Sequence, residues 1–251
     1  PITAYLSVAS KAAGFAVLLR VFYLAFGELS MDWGELFAVL SVFSMVVGNL
    51  AAIVQNNVKR MLAYSTVAQG GYVLVGLASV ASLASSDHVL GPSSVLFYLS
   101  GYAVTNLAAF FSVIVISNMT GSNQIDSFAG MGRRAPVVAA VFTISLVSLI
   151  GIPPTVGFIG KLYLFNAAVQ SDLVWLAVAG MINSVVSAYY YLRIVRIMYL
   201  APVQSKERVP SSIPMRLALG IATLGILAVG ILPGWLLKLA QGAVAPLLSS
   251  T

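Results

Sequence analysis

The chain has 251 residues, of which 60% are hydrophobic and only 8% charged, with a formal net charge of +6 and a mean hydropathy of +0.98. A soluble domain carries about 25% charged residues, so this composition excludes a soluble globular protein and describes an all-α, polytopic membrane helix bundle. With no cysteine and a single histidine, disulfides, Fe–S ligation and a histidine-cluster metal site within this chain are excluded; no cofactor is expected in it.

Seven hydrophobic segments can be drawn, at about 4–26, 34–56, 61–84, 93–118, 136–169, 173–200 and 214–239. The chain opens on Pro1, without an initiator Met or a basic leader, and reads as a piece of a longer protein. The connections alternate in charge. Glu28, Asp32 and Glu35 follow the first segment, Lys59 and Arg60 the second, Asp87 and His88 the third, Arg133 and Arg134 the fourth, and Asp172 the fifth. The sixth gathers Arg193, Arg196, Lys206, Arg208 and Arg216. Because Lys and Arg crowd cytoplasmic loops, the residue-1 end and the loops of Lys59, Arg133 and Lys206 are expected in the cytoplasm, and Thr251 outside. This asymmetry accounts for the +6 charge without a nucleic-acid partner. The one stretch of linker-like composition is 118–132. Gly70-Gly71 reads as close helix packing, because no strand precedes it as in a phosphate-binding loop.

The first segment carries Lys11 two turns in from its cytoplasmic end, with Ser7, Ser10 and Gly14 around it. It is either a functional intramembrane charge or a lysine that snorkels to the interface. Arg20, nearer the outer end, is assigned to snorkelling. Polar residues recur at helical spacing on three later segments: Ser65, Gln69 and Tyr72; Tyr98, Tyr102 and Thr105 with Asn106; and Asn183, Ser187 and Tyr191. Spacings of three and four place each set on one helix face. Such faces serve interhelical hydrogen bonding, worth about 0.6 kcal/mol per contact, or line a wet path.

The fifth segment is the unusual one. It is too long for one straight span, since about 20 residues cross the hydrocarbon core, and Gly151, Pro153 and Pro154 interrupt it. Adjacent prolines remove two donors and force the preceding residues out of helix, which predicts half-helices at roughly 137–150 and 155–169. Unwound backbone at that depth has to be buried in protein or line a wet cavity. Lys161 lies less than two turns beyond the break, where a lysine costs about 3 kcal/mol on insertion scales. A broken helix beside an ionisable group is the pattern of a transporter's ion path. A buried amine suits that task because burial disfavours its charged form. All seven acidic residues fall in or beside loops, so any carboxylate partner lies outside this sequence.

Two runs are recognisable. Asn57-Val58-Lys59-Arg60-Met61-Leu62-Ala63-Tyr64-Ser65-Thr66, and Gly151-Ile152-Pro153-Pro154 through Gly157-Phe158-Ile159-Gly160-Lys161, resemble hallmarks of the antiporter-like membrane subunits of respiratory complex I and of Mrp-type cation/proton antiporters. Ala9-Ser10-Lys11, Lys161-Leu162-Tyr163 and Tyr189-Tyr190-Tyr191-Leu192-Arg193 look most like subunit N. Lys161 itself favours subunit N over subunit M, which usually has glutamate there. The resemblance implies half of a fourteen-helix fold, with the seven segments as helices eight to fourteen, 1–251 as one transmembrane domain, and 136–169 as the broken twelfth helix. It implies that Lys11 and Lys161 relay protons, that the family's earlier glutamate and lysine precede Pro1, and that redox chemistry and quinone belong to other subunits of an NADH (or ferredoxin):quinone oxidoreductase. Implied partners are those membrane subunits, the lipid bilayer and protons, with sodium as the alternative ion of an Mrp-type antiporter. A subunit that only packs against its neighbours is the remaining reading. The implied location is a bacterial cytoplasmic membrane, or else a thylakoid or mitochondrial inner membrane.

Overall fold

A computed structural model describes residues 2–26, 30–79, 89–202 and 213–248. Glu28, Asp87, His88, Lys206, Arg208 and Thr251 lie outside the described residues, as do the side chains of Asp32 and Arg216. The described residues form helices α1 (Ile2–Ala25), α2 (Ser30–Ile53), α3 (Val58–Ala78), α4 (Leu90–Thr120), the single turn α5 (Met131–Arg134), α6 (Pro136–Ile150), α7 (Val156–Gln170), α8 (Val174–Leu200), α9 (Ile213–Ile231) and α10 (Gly234–Leu248). No strand occurs among them. The all-α membrane bundle expected from composition is the architecture observed.

Five of these helices (α1, α2, α3, α4 and α8) are each long and apolar enough to cross a membrane. The two 15-residue halves of the fifth segment are each about 22 Å long, too short alone for a hydrocarbon core of about 30 Å. α3 and α4 are the most enclosed spans, and α1 is the least covered. α2 and α3 meet backbone to backbone: a Cβ on Gly71 would lie 2.8 Å from the Ser41 carbonyl oxygen, and one on Gly48 would lie 2.5 Å from the Ala68 nitrogen. Gly71 is therefore a packing glycine.

Local chemistry sets the helix ends. Asn57 stands in extended backbone before α3, and its side chain accepts from the Arg60 amide at 3.1 Å, an N-cap. α6 starts with Pro136 in its first turn and stops at Gly151, whose φ of +91° is left-handed; proline at the start and glycine past the end is the expected asymmetry. The Gly151 amide donates to Ser148 O and the Ile152 amide to Val147 O, the paired closure of a Schellman motif. Five residues separate α6 from α7, against the four of the sequence reading.

Two expectations are corrected. The seventh segment is not one continuous span over 214–239: it stops at Ile231, and α10 turns away from α9 by 82°. Pro233 is the cause, because it has no amide to continue the hydrogen-bond ladder and its ring clashes with the preceding turn. The stretch 118–132 is not a linker. α4 runs on to Thr120, and a 3₁₀ turn at Ile125–Phe128 buries Ile125 and Phe128. Hydrogen bonds from Val58 N to Asn123 O (2.9 Å) and from Ile125 N to Asn56 O (2.8 Å) tie it to the α2–α3 turn. Two of its three glycines, Gly121 and Gly130, serve positive φ angles rather than mobility.

The fold sharpens the topology test. Gln124 and Gln170 are exposed at opposite ends of the bundle by the loop-charge argument. Gln124→Cys should react with an impermeant thiol reagent only from the cytoplasmic side and Gln170→Cys only from outside; the reverse labelling would invert the orientation.

Candidate functional site

Lys161 projects from the second turn of α7 back across the break, and its side chain is only 4% exposed. Its Nζ donates to Ile150 O at 2.8 Å, Ser184 Oγ at 2.9 Å and Leu149 O at 3.1 Å. An ammonium has three donors, and all three are used. The two carbonyls belong to the last turn of α6, where the helix leaves its acceptors unpaired and concentrates partial negative charge of about half an electron. The break thus supplies the counter-charge that a carboxylate would otherwise provide. Gly151 contributes room as well as the turn, because a Cβ there would stand 2.9 Å from Lys161 Cδ. The Tyr72 ring lies 4.2 Å beneath Nζ, and Ser184 in turn donates to Tyr72 Oη at 3.2 Å.

The break is two-sided. Ile152, Pro153 and Pro154 are exposed on the flank of the bundle, so this unwound piece is not wholly buried among the described residues, where the sequence reading asked for burial in protein or a wet cavity. Its inner side faces the core. There Ser148 Oγ lies 3.2 Å from Thr105 Oγ1 and accepts from the Gly157 amide at 3.2 Å. A cavity of about 10 Å³ is lined by Tyr98, Tyr102, Thr105, Ser148, Leu149 and Gly157, the space of roughly one water.

Lys11 is half-buried. Its side chain runs inward, with Nζ donating to Thr66 O and lying 5.9 Å from the Tyr102 ring centroid. Gly70 leaves it room, since a Cβ there would be 3.3 Å from Nζ. Asn106 Nδ2 donates at 2.7 Å to Ser7 Oγ, one turn before Lys11. The polar link continues toward Lys161. Tyr102 Oη donates to Thr66 Oγ1 at 3.1 Å, Tyr98 Oη donates to Gln69 Oε1, and Gln69 Nε2 donates at 3.1 Å to Leu149 O, the carbonyl that Lys161 also holds.

The structure therefore brings Lys11, Gln69, Tyr72, Tyr98, Tyr102, Thr105, Asn106 and Lys161 into one connected region, with Gly151, Pro153 and Pro154 beside it. Ser65 turns back onto Leu62 O of its own helix. Asn183 belongs to a separate cluster with Asn49 and Tyr190 that joins α2 to α8. Ser187 bonds to Ser184 O, and Tyr191 is buried with its hydroxyl unpartnered. Sequence reasoning missed Ser184, Ser148, Thr66 and Asn49. A signal existed for two of them: Ser184 shares the face of Ser187 and Tyr191 at spacings of three and seven, and Asn49 is a lone amide in an apolar helix. Among the described residues no three His, Asp or Glu side chains gather as metal ligands.

An apolar bundle with an interrupted span and two inward-facing lysines defines a multi-pass integral membrane protein of the antiporter-like class. Residues 1–187 match the family described as NADH:quinone oxidoreductase/Mrp antiporter, TM, and the chain belongs to that family. It is 48% identical over 246 residues to the NADH-quinone oxidoreductase subunit N of Dehalococcoides mccartyi, covering 97% of this chain and 50% of that protein. Among solved structures it is similar to a chain of respiratory complex I from Thermus thermophilus with bound aureothin, at 32% identity and a TM-score of 0.68, covering 81% of this chain and 45% of that one. It is also similar to a chain of the membrane-bound sulfane sulfur reductase, an archaeal respiratory membrane complex, at 26% identity and a TM-score of 0.85, covering 98% and 49%. The chain spans about half the length of the curated relatives it matches.

Proposed function

We propose that this chain is the part of a complex I subunit N corresponding to helices eight to fourteen, and that it moves protons through Lys11, Lys161 and water, driven by redox chemistry in other subunits. It contributes no covalent catalytic site or cofactor of its own; quinone is met only through the assembled complex. The observation that carries the reading is the seat of Lys161: an amine held by helix-end carbonyls and a serine, linked toward a second lysine through the Gln69 amide, tyrosine and threonine hydroxyls and a water-sized cavity.

Chemistry divides the labour within the link. Hydroxyls of Tyr98, Tyr102, Thr105 and Ser148, with a water among them, can accept one proton while passing another. The Gln69 amide and the Leu149 carbonyl cannot, so they orient the others. Carbonyl acceptors stabilise the Lys161 ammonium without accepting its proton, which leaves that proton free to depart to water. A proton on either lysine raises the cost of one on the other, because like charges interact strongly where the dielectric is low.

An Mrp-type sodium/proton antiporter subunit is the second reading, since the family spans both; 48% identity to a protein named as a subunit N favours the first. The test is proton movement per electron by the assembled complex in vesicles, in sodium-free buffer. Replacing Lys11 and Lys161 together by methionine should leave assembly intact and abolish the protons moved by this subunit. An undiminished proton-to-electron ratio in the double variant would leave a packing role, and dependence on sodium would favour the antiporter.

A further inference from the structure

α9 packs along α6, α7 and α4 and so spans the break from outside the polar link. Gly230 lies directly against the unwound segment. A Cβ on Gly230 would lie 2.2 Å from Pro154 O, 2.6 Å from Thr155 C and 2.8 Å from Thr155 Cα. All three are backbone atoms, which no side-chain rotation can move aside. The helix and the unwound segment therefore touch main chain to main chain, at a place where only glycine fits. Glycine in a helix interior is a less stable choice than alanine, so the contact has to account for it. Along the same helix Gly220 faces nothing within 4 Å, which makes Gly230 a specific fit. Three residues later Pro233 ends the helix and α10 turns by 82° to lie against α4 and α1, the elements that carry Tyr102 and Lys11.

Unwound backbone at membrane depth has to be covered by protein or line a wet cavity. The side chains of Ile152, Pro153 and Pro154 face away from the core, so they leave the peptide groups of the break to be covered from the side. α9 does this at the 154–155 peptide. Thr155 then ties the loop internally, its Oγ1 donating to Ile152 O at 2.7 Å, and Gly151 and Ile152 donate back into α6. A displacement at Pro154 is thereby passed to the end of α6, where Leu149 and Ile150 hold Lys161.

We propose that Gly230 is a positioning residue for Lys161: it seats the unwound backbone at Pro154–Thr155 so that the α6 terminal carbonyls stay aimed at the amine, and the bent α9–α10 pair fixes that seat. The functional half of this inference rests on Lys161 being a proton carrier; the structural half does not.

The experiment uses the full-length subunit in the assembled complex, with Gly230→Ala, Gly220→Ala as control, and Lys161→Met. Hydrogen exchange of peptides spanning 151–160 reads the seat, and the pH profile of proton movement per electron reads the relay. Gly230→Ala should raise exchange at 151–157 severalfold and displace the pH profile, whereas Gly220→Ala should match the wild type in both. Wild-type exchange and an unmoved profile in an assembled Gly230→Ala complex overturn the proposal. Should Gly230→Ala fail to assemble, Pro233→Ala decides: it straightens the bend without adding atoms to the contact, and must itself raise exchange at 151–157, wild-type exchange there being equally fatal. If Lys161→Met moves protons normally while Gly230→Ala still raises exchange, the carrier reading fails and the seat stands.

Discussion

Replacing Lys161 by methionine should stop proton transfer at its site while the complex still assembles. Methionine follows the lysine stem in length and flexibility but cannot ionise. It leaves Leu149 O, Ile150 O and Ser184 Oγ without their donor, at about 1–3 kcal/mol for each buried group left unsatisfied. That loss is offset in part because the variant no longer buries a charge. Gln69 still donates to Leu149 O, which limits the damage further. A modest stability change with complete loss of relay is therefore the expected pattern. Lys161→Arg makes the decisive comparison. A guanidinium keeps the charge and has donors in excess, yet it stays protonated at all working pH values, so it should fail nearly as badly as methionine. Proton uptake per electron in vesicles, read beside electron transfer and protein level, separates the cases. An arginine variant that assembles, transfers electrons and pumps at the normal rate would mean that charge alone is needed and that Lys161 never gives up its proton.

What the sequence disclosed and what it hid divide along a physical line. The break was legible because its causes are local: two prolines and a glycine act on their own backbone whatever surrounds them. Lys161 was legible because a lysine in an apolar run is costly in any fold. The half-helix ends were misjudged by a residue at most. Its partners were not legible in the same way. Ser148, Thr66 and Ser184 are small hydroxyls of a kind that bonds equally well to the helix's own carbonyls, as Ser65 does and as Thr66 does while also accepting from Tyr102. Only the packing of α3, α4, α6, α7 and α8 decides which hydroxyls point across. The stretch 118–132 misled for a related reason. Glycine, serine and asparagine mark both flexible linkers and tight turns, and the two differ only in whether Ile125 and Phe128 find a core to enter. Pro233 carries the same local signal as Pro153, but the apolar run continues past it to 239, and the seventh segment is drawn through it as one span.

Lys11→Met is the sharper test of the connection between the two lysines. The Lys11 side chain turns inward to Thr66 O and the Tyr102 ring, away from the helix end, and it is only partly covered, on the least enclosed span of the bundle. A lysine that merely reached for the interface would lose little on becoming methionine, beyond the small effects of an ordinary surface change of about 0.5 kcal/mol. A relay lysine would lose proton movement altogether. Lys11→Met is therefore expected to lower proton movement per electron as far as Lys161→Met does, although the two side chains stand on different helices and share no direct hydrogen bond. The combination of the two carries the argument further. Effects at independent sites add, whereas residues acting as one unit do not. If protons pass through Lys11 and Lys161 in series, blocking either already blocks the route, and the double variant should fall no lower than the more impaired single. If each lysine serves its own route, each single variant should retain part of the movement and only the double should lose all of it. Proton uptake by all three variants, normalised to electron transfer in the same vesicles, distinguishes a single path through Tyr102 and the cavity from two separate ones.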